Sequence, residues 1–192
     1  SLKWDASLST RPSPQAVQET AARLGLETAR PVIVAGSTHR GEEVLLLRAF
    51  QTLRATRADT QLILAPRHQE RFDEVEMLVQ RAGWKAVRVS SARGSEAWDV
   101  ALVDVFGQLP LYYALASIVV IGGSFIPHGG QNPLEAASLG KPVVFGPSMH
   151  NFEAITHQLL AHHAARQASG EPECAVVLAE LLEHQEEAQA MG

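Results

Sequence analysis

Residues that can bind a phosphorylated sugar follow an apolar run near the middle of the chain. Gly122, Gly123 and Ser124 end this run, and Asn132 and Glu135 open the next helical stretch. Glycines at the carboxyl end of a parallel strand let a phosphate or sugar approach the backbone, and a carboxylate beside them can bind both ribose hydroxyls. Asn132 and Glu135 also fit the ends of a capping box, in which Glu135 accepts from the Asn132 amide. We interpret the segment as a nucleotide site.

A second loop, after the first predicted strand, carries Ser37, Thr38 and His39 ahead of Glu42 and Glu43. Hydroxyls and exposed amides at a helix start can bind an anion. Equally, Ser37 or Thr38 can cap the helix while Glu42 and Glu43 complement its dipole. The loop is not a complete GxGxxG or Walker motif, and both interpretations stay open.

Arginines follow the second predicted strand. Arg67 stands directly after a proline that ends the strand, and its planar guanidinium suits a phosphate. For Arg71 the pattern favours a surface salt bridge to Glu70 or Asp73. Of these two arginines, we therefore predict a phosphate contact for Arg67 and not for Arg71.

A fourth loop contains Asp104, Phe106 and Gly107. Backbone amides at Phe106 and Gly107 can meet a nucleobase or a phosphate. For Asp104, capping of its own loop is favoured over catalysis. The loop therefore predicts a ligand contact at Phe106 and Gly107, with base and phosphate both left open.

Alternating apolar runs and helical patterns must position these loops, and they predict an α/β fold: a Rossmann-like six-stranded parallel sheet with helices on both faces. Continuous apolar runs indicate strands that are buried on both sides. The strands are predicted at 32–35, 61–65, 85–89, 100–103, 118–121 and 142–145. The helices are predicted at 14–24, 42–57, 69–81, 109–115, 133–139, 152–162 and from 173 onward.

Composition limits the function. With 192 residues, 46% of them hydrophobic, the chain can bury the core of one domain, which we place at 1–192. A net charge of -5 disfavours nucleic acid as a partner. The single Cys174 cannot form an internal disulfide, and no apolar stretch reaches the length of a membrane span. The polar segment 1–14 is typical of a chain cut from something larger.

Histidines offer an alternative of another class. His39, His68, His128 and His150 all follow predicted strands, where they could ligate a metal in a hydrolase. None has HExxH or a similar spacing, and ordinary loop histidines are the favoured interpretation. We therefore predict no metal site.

Taken in order, several motifs together resemble the carboxyl-terminal half of the Kdo (3-deoxy-D-manno-octulosonic acid) transferase family. Individually each motif is weak, whereas their joint occurrence is specific. The matching segments are Leu2-Lys3-Trp4-Asp5, Gly36 to Glu43, Ala65 to His68 with Arg71-Phe72, Gly122-Gly123-Ser124, Gly129 to Glu135, and Gly146-Pro147 with Asn151-Phe152.

The resemblance implies one half of a GT-B glycosyltransferase, the half that binds the donor CMP-Kdo. Members of the family transfer Kdo to a lipid A precursor with inversion and without a metal or other cofactor, at the cytoplasmic face of the bacterial inner membrane. Their general base, acceptor site and membrane anchor lie in the amino-terminal half. The resemblance therefore implies no catalytic residue in this chain, and we expect the chain alone to be inactive.

The resemblance also implies roles for residues. Arg67 and the amides of Gly122, Gly123 and Ser124 would hold the CMP phosphate. Asn132 and Glu135 would fix the phosphate region and the ribose, the backbone at Phe106 and Gly107 would cover the cytosine, and Ser37, Thr38 and His39 would face the sugar in the interdomain cleft. The chain departs from the family at Gln108, where an acidic residue is usual. Two alternatives remain: a GT-B domain that uses UDP-sugars, and a non-catalytic nucleotide-binding module.

Overall fold

The computed structural model describes residues 11–27 and 29–184. The motif at Leu2–Asp5, most of the segment 1–14 and the chain beyond residue 184 lie outside this part. The strands are β1 (Val32–Thr38), β2 (Gln61–Pro66), β3 (Ala86–Arg88), β4 (Val100–Leu102), β5 (Ile118–Ile121), β6 (Val143–Phe145) and β7 (Ala165–Gln167). The helices are α1 (Pro14–Leu24), α2 (Glu42–Arg54), α3 (Phe72–Arg81), α4 (Leu109–Leu115), α5 (Leu134–Ser138), α6 (Glu153–Ala161) and α7 (Glu171–Glu183).

All strand pairs are parallel, and the order across the sheet is β3-β4-β2-β1-β5-β6-β7. Strands β2, β3 and β4 lie on one side of β1, and the chain then crosses to the other side of β1 to form β5, β6 and β7. The carboxyl ends of β1 and β5 therefore meet at a topological switch point, where open α/β sheets form their ligand crevice. The loops singled out in the sequence leave the sheet at this edge.

The prediction of an α/β fold with a parallel sheet and helices on both faces is confirmed, with seven strands instead of six. The additional strand, β7, pairs with β6 at the edge of the sheet. It consists of three residues, Ala-Arg-Gln, only the first of which is buried. So short and polar an edge strand has no apolar run by which the sequence could reveal it.

Two apolar layers cover the sheet. Helices α2, α3 and α7 pack on one face, and α1, α4, α5 and α6 pack on the other. The central strands contribute side chains to both layers, which is why their sequences are continuously apolar. Within the described ranges, no helix combines the length and apolarity that a bilayer crossing requires.

One close approach fixes α4 against the sheet. The hydroxyl of the buried Tyr113 lies directly over the Cα atom of Gly36, where any side chain would collide with it. The absence of a side chain at Gly36 therefore allows α4 to pack against the end of β1. This contact brings Tyr113 to the carboxyl edge of the sheet.

Candidate functional site

A buried carboxylate, Glu42, joins the two loops at the switch point. One of its oxygens accepts from the amides of His39 at 2.9 Å and Gly123 at 2.7 Å, and the other accepts from those of Ser124 and Phe125, both at 3.0 Å. Glu42 is 1% exposed. Four amide donors compensate the cost of burying this charge. The carboxylate therefore binds the loop after β1 to the loop after β5.

This arrangement corrects the predicted phosphate contacts in the glycine loop. The amides of Gly123 and Ser124 donate to Glu42, and the Gly122 amide donates to the Gly36 carbonyl oxygen at 2.8 Å. The Ser124 hydroxyl is also committed, because it donates to the Ile121 carbonyl oxygen. These groups already have partners within the chain, so a phosphate must find other donors.

Glu43, the neighbour of Glu42, is fully buried and pairs with Arg71. The guanidinium of Arg71 donates to both Glu43 oxygens, at 2.8 and 3.1 Å, and to Glu74 at 3.3 Å. The predicted surface bridge of Arg71 to Glu70 or Asp73 is therefore wrong in partner and in burial. Arg71 instead pairs mainly with Glu43, one of the two glutamates expected to complement the dipole of α2.

The same network removes Thr38 from the cleft. Its side chain is fully buried, and its hydroxyl donates to Glu43 at 2.9 Å. Neither Ser37 nor Thr38 caps α2, whose N-cap residue is Gly41. Ser37 instead adopts a left-handed conformation, with φ of 55°, that is uncommon outside glycine and often marks functional sites.

A cleft of about 160 Å³ opens beside Ser37, at the ends of β1, β2 and β4. Arg67, Phe106 and Gly107 line it, together with apolar side chains of the strand ends. The Phe106 ring is 59% exposed, although hydrophobic side chains of this size are usually buried. The cleft thus brings together three of the predicted nucleotide contacts with Ser37.

Arg67 is exposed and has no ion-pair partner in the ranges 11–27 and 29–184. Its backbone amide donates to the Thr38 carbonyl oxygen, which fixes the start of the side chain at the mouth of the cleft. By contrast, Asp104 accepts from the amide and hydroxyl of Ser90, so it caps a neighbouring turn and not its own loop. Among the described residues, the Arg67 guanidinium thus lies at the cleft without an ion-pair partner.

Glu135 lies at the start of α5, on the other side of the switch point. The capping interaction expected between Glu135 and the Asn132 amide does not form; instead the Asn132 side chain accepts from the Leu134 amide at 3.0 Å. Burial raises the pKa of Glu135, and burial together with the charge of Glu135 raises that of Tyr113. Among the described residues, nothing donates a hydrogen bond to the half-buried Glu135 carboxylate. Such a group is well placed to accept hydrogen bonds from a ligand.

Three of the four histidines considered as metal ligands come together. The ring centroid of His39 lies 5.5 Å from that of His68 and 4.1 Å from that of His128. Over the part of the chain that the structure covers, no set of three or more His, Cys, Asp or Glu residues has the geometry of a metal site. The histidines nevertheless form a polar surface beside the cleft.

The parallel sheet with its switch point has the architecture of one half of a GT-B fold. No protein-family model matches the chain. A 3-deoxy-D-manno-octulosonic acid transferase of Bordetella pertussis is 39% identical over 173 residues, which are 88% of this chain and 39% of that protein.

Solved structures with a similar fold include a relative from the same family. The C-terminal CMP-Kdo binding domain of WaaA from Acinetobacter baumannii has a TM-score of 0.79 and 30% identity, over 93% of this chain and 96% of that chain. Alr3699/HepE from Anabaena, solved with UDP and glucose, shares the fold alone: its TM-score is 0.64 at 18% identity, over 94% of this chain and 46% of that one. The chain belongs to the 3-deoxy-D-manno-octulosonic acid transferase family, and it spans less than half the length of the curated relatives it matches.

The Glu42 carboxylate yields a stability prediction. Glu42→Gln replaces one of the two acceptor oxygens by an amide that faces donors, so at least two buried N–H groups lose their partner. We expect the free energy of unfolding in urea to fall by about 2 to 4 kcal/mol. The exposed Glu70→Gln is the control and should change it by less than about 0.5 kcal/mol. Equal stability of the two variants would show that Glu42 does not hold the loops.

Substitution of Glu135 is expected to raise the stability of the chain, whereas substitution of Glu42 lowers it. Because burial raises its pKa in the folded chain, ionisation of Glu135 opposes folding, and this cost is fully present above the raised pKa. Glu135→Gln should therefore be more stable than the parent chain at about pH 8, and the gain should shrink as the pH falls towards the ordinary glutamate value of about 4.3. Thermal unfolding of the variant and the parent chain across this pH range measures the difference in stability. A variant that is less stable at about pH 8 would mean that the carboxylate has a structural partner.

Proposed function

We propose that this chain is the CMP-Kdo-binding domain of an enzyme that transfers Kdo to a lipid A precursor. The observation that carries the proposal is that the Glu135 carboxylate and the guanidinium of Arg67, which lies at a cleft on the same edge of the sheet, have no partners in the part of the chain that the structure describes. The relative from Acinetobacter baumannii, described as a CMP-Kdo binding domain, supports the choice of donor.

The nucleotide is placed by matching its chemistry to these groups. The cytosine enters the cleft, where the exposed Phe106 ring and the backbone at Gly107 cover it. The ribose lies over the end of β1, where Glu135 accepts from its two hydroxyls. The phosphate meets Arg67 and the backbone near Asn132, because the glycine-loop amides bind Glu42.

Transfer breaks the bond between the sugar and the phosphate, and the departing CMP gains negative charge. A cation that is fixed beside the phosphate stabilises this transition state more than the ground state. Arg67 supplies that charge in our proposal, so no metal is assigned a role. In the proposed enzyme, a base from the amino-terminal half takes the proton of the acceptor hydroxyl. That oxygen attacks the anomeric carbon on the face opposite the departing CMP, so the anomeric centre is inverted. That half also provides the membrane anchor at the cytoplasmic face of the inner membrane.

Nucleotide selectivity tests the proposal. Calorimetric titration of this chain with CMP, UMP and UDP should show tightest binding of CMP, and EDTA should leave the affinity unchanged. Preference for UDP would move the chain to a branch of the GT-B fold that uses UDP-sugars. Binding that EDTA abolishes would indicate a metal site.

Substitutions locate the nucleotide. Glu135→Ala and Arg67→Ala should each weaken CMP binding by about 10- to 100-fold, because each removes hydrogen bonds between a charged side chain and the ligand. The matched controls are the exposed Glu183→Ala and Arg48→Ala, neither of which lines the cleft. Unchanged affinity in Glu135→Ala, with folding intact, would exclude the ribose contact.

A further inference from the structure

The cluster of His39, His68 and His128 takes no part in the CMP contacts proposed above. The three residues come from three loops, after β1, β2 and β5. His39 is 8% exposed and forms the floor, whereas His68 and His128 are exposed at its sides. Three neighbouring loops thus present imidazole rings to one point on the carboxyl edge of the sheet.

His39 has an unsatisfied hydrogen-bonding group. Its Nδ1 atom is buried and has no hydrogen-bond partner. The nearest carboxylate oxygen, on Glu42, is 3.8 Å away and already accepts from two amides. Burial, and then the neighbouring His128 and His68, lower the pKa of His39. The Nδ1 atom is therefore unsatisfied, and the surroundings of the ring favour its neutral form, although a backbone hydrogen bond with Ser37 and the charge of Glu43 oppose this shift of the pKa.

Local geometry positions the His128 ring beside His39. Gly123 has a φ of 67°, and a Cβ atom there would lie 2.9 Å from Cδ2 of His128. Only glycine therefore leaves room for His128 to lie within 4.1 Å of His39, measured between ring centroids. The Gln131 side-chain nitrogen, 3.4 Å from Nε2 of His128, supports the outer ring.

An anionic group is the ligand that such a cluster fits best. A neutral imidazole becomes a double donor when it is protonated, and an anion placed against three clustered rings favours that protonation. The sugar that the Bordetella relative is named for is an acid, so it carries a carboxylate at neutral pH. We propose that the His39, His68 and His128 cluster binds the carboxylate of the transferred sugar acid, with the His39 ring taking up a proton from solvent as the donor binds.

This assignment rests on the proposed function, since it needs the nucleotide to deliver the sugar beside the cleft. The titratable groups that face His39 are Glu42 and Glu43 on α2, His68 after β2 and His128 after β5. Both glutamates are committed to hydrogen bonds within the chain. Proton uptake on binding is therefore assigned to the histidines.

The test compares CMP-Kdo with CMP on this chain and on His68→Gln, His128→Gln and His39→Gln. For the parent chain we expect CMP-Kdo to bind at least about tenfold more tightly than CMP, and each substitution to remove most of that advantage while the CMP affinity stays unchanged. The exposed His157→Gln is the control. Variants at the two exposed histidines keep the test valid if His39→Gln does not fold.

A second readout follows the proton. Calorimetry in buffers of different ionisation enthalpy should show proton uptake with CMP-Kdo and not with CMP, and NMR should show the pKa of the His39 ring rise on binding. If CMP binds as proposed but the variants keep the CMP-Kdo advantage, the carboxylate assignment is wrong and the nucleotide site stands. If CMP itself does not bind, the proposed function falls, and this inference with it.

Discussion

The carboxylate of Glu42 is the interaction on which the edge of this sheet depends. The switch point between β1 and β5 brings two loops together at the place where parallel strands end and their amides lose their sheet partners. Glu42 satisfies four of those amides at once and is itself buried. In the loop after β1, the hydrogen bond from the His39 amide to Glu42 holds the backbone of His39 in place.

Because the Glu42 carboxylate occupies these amides, they are not available to a ligand. In many nucleotide-binding folds, a glycine-rich loop at a helix start offers its amides to a phosphate. Here the chain supplies its own carboxylate to such amides. In our proposal, an external phosphate is therefore recognised by Arg67 and by the backbone near Asn132. The ligand-binding groups of that proposal are those that the network around Glu42 and Glu43 leaves without partners among the described residues.

Sequence patterns predicted the sheet well because its central strands are buried on both faces and read as continuous apolar runs. They missed β7, whose three residues carry no such run. They also misjudged Glu42 and Glu43, because an acid in the first turn of a helix looks the same in sequence whether it faces water or amides 81 residues away. Arg67, Phe106, Gly107 and Ser37 do come together at one cleft, since all lie at or just beyond the carboxyl ends of neighbouring strands. Which polar groups keep a free hydrogen-bonding capacity depends on the folded chain alone.

A crystal structure of this chain with CMP tests the central claim most directly. Our account predicts the ribose hydroxyls on the Glu135 carboxylate, the phosphate at Arg67 and the cytosine beside Phe106. The amides of Gly123 and Ser124 should still bind Glu42. A phosphate that displaces Glu42 from these amides, or CMP bound away from Glu135, would contradict it.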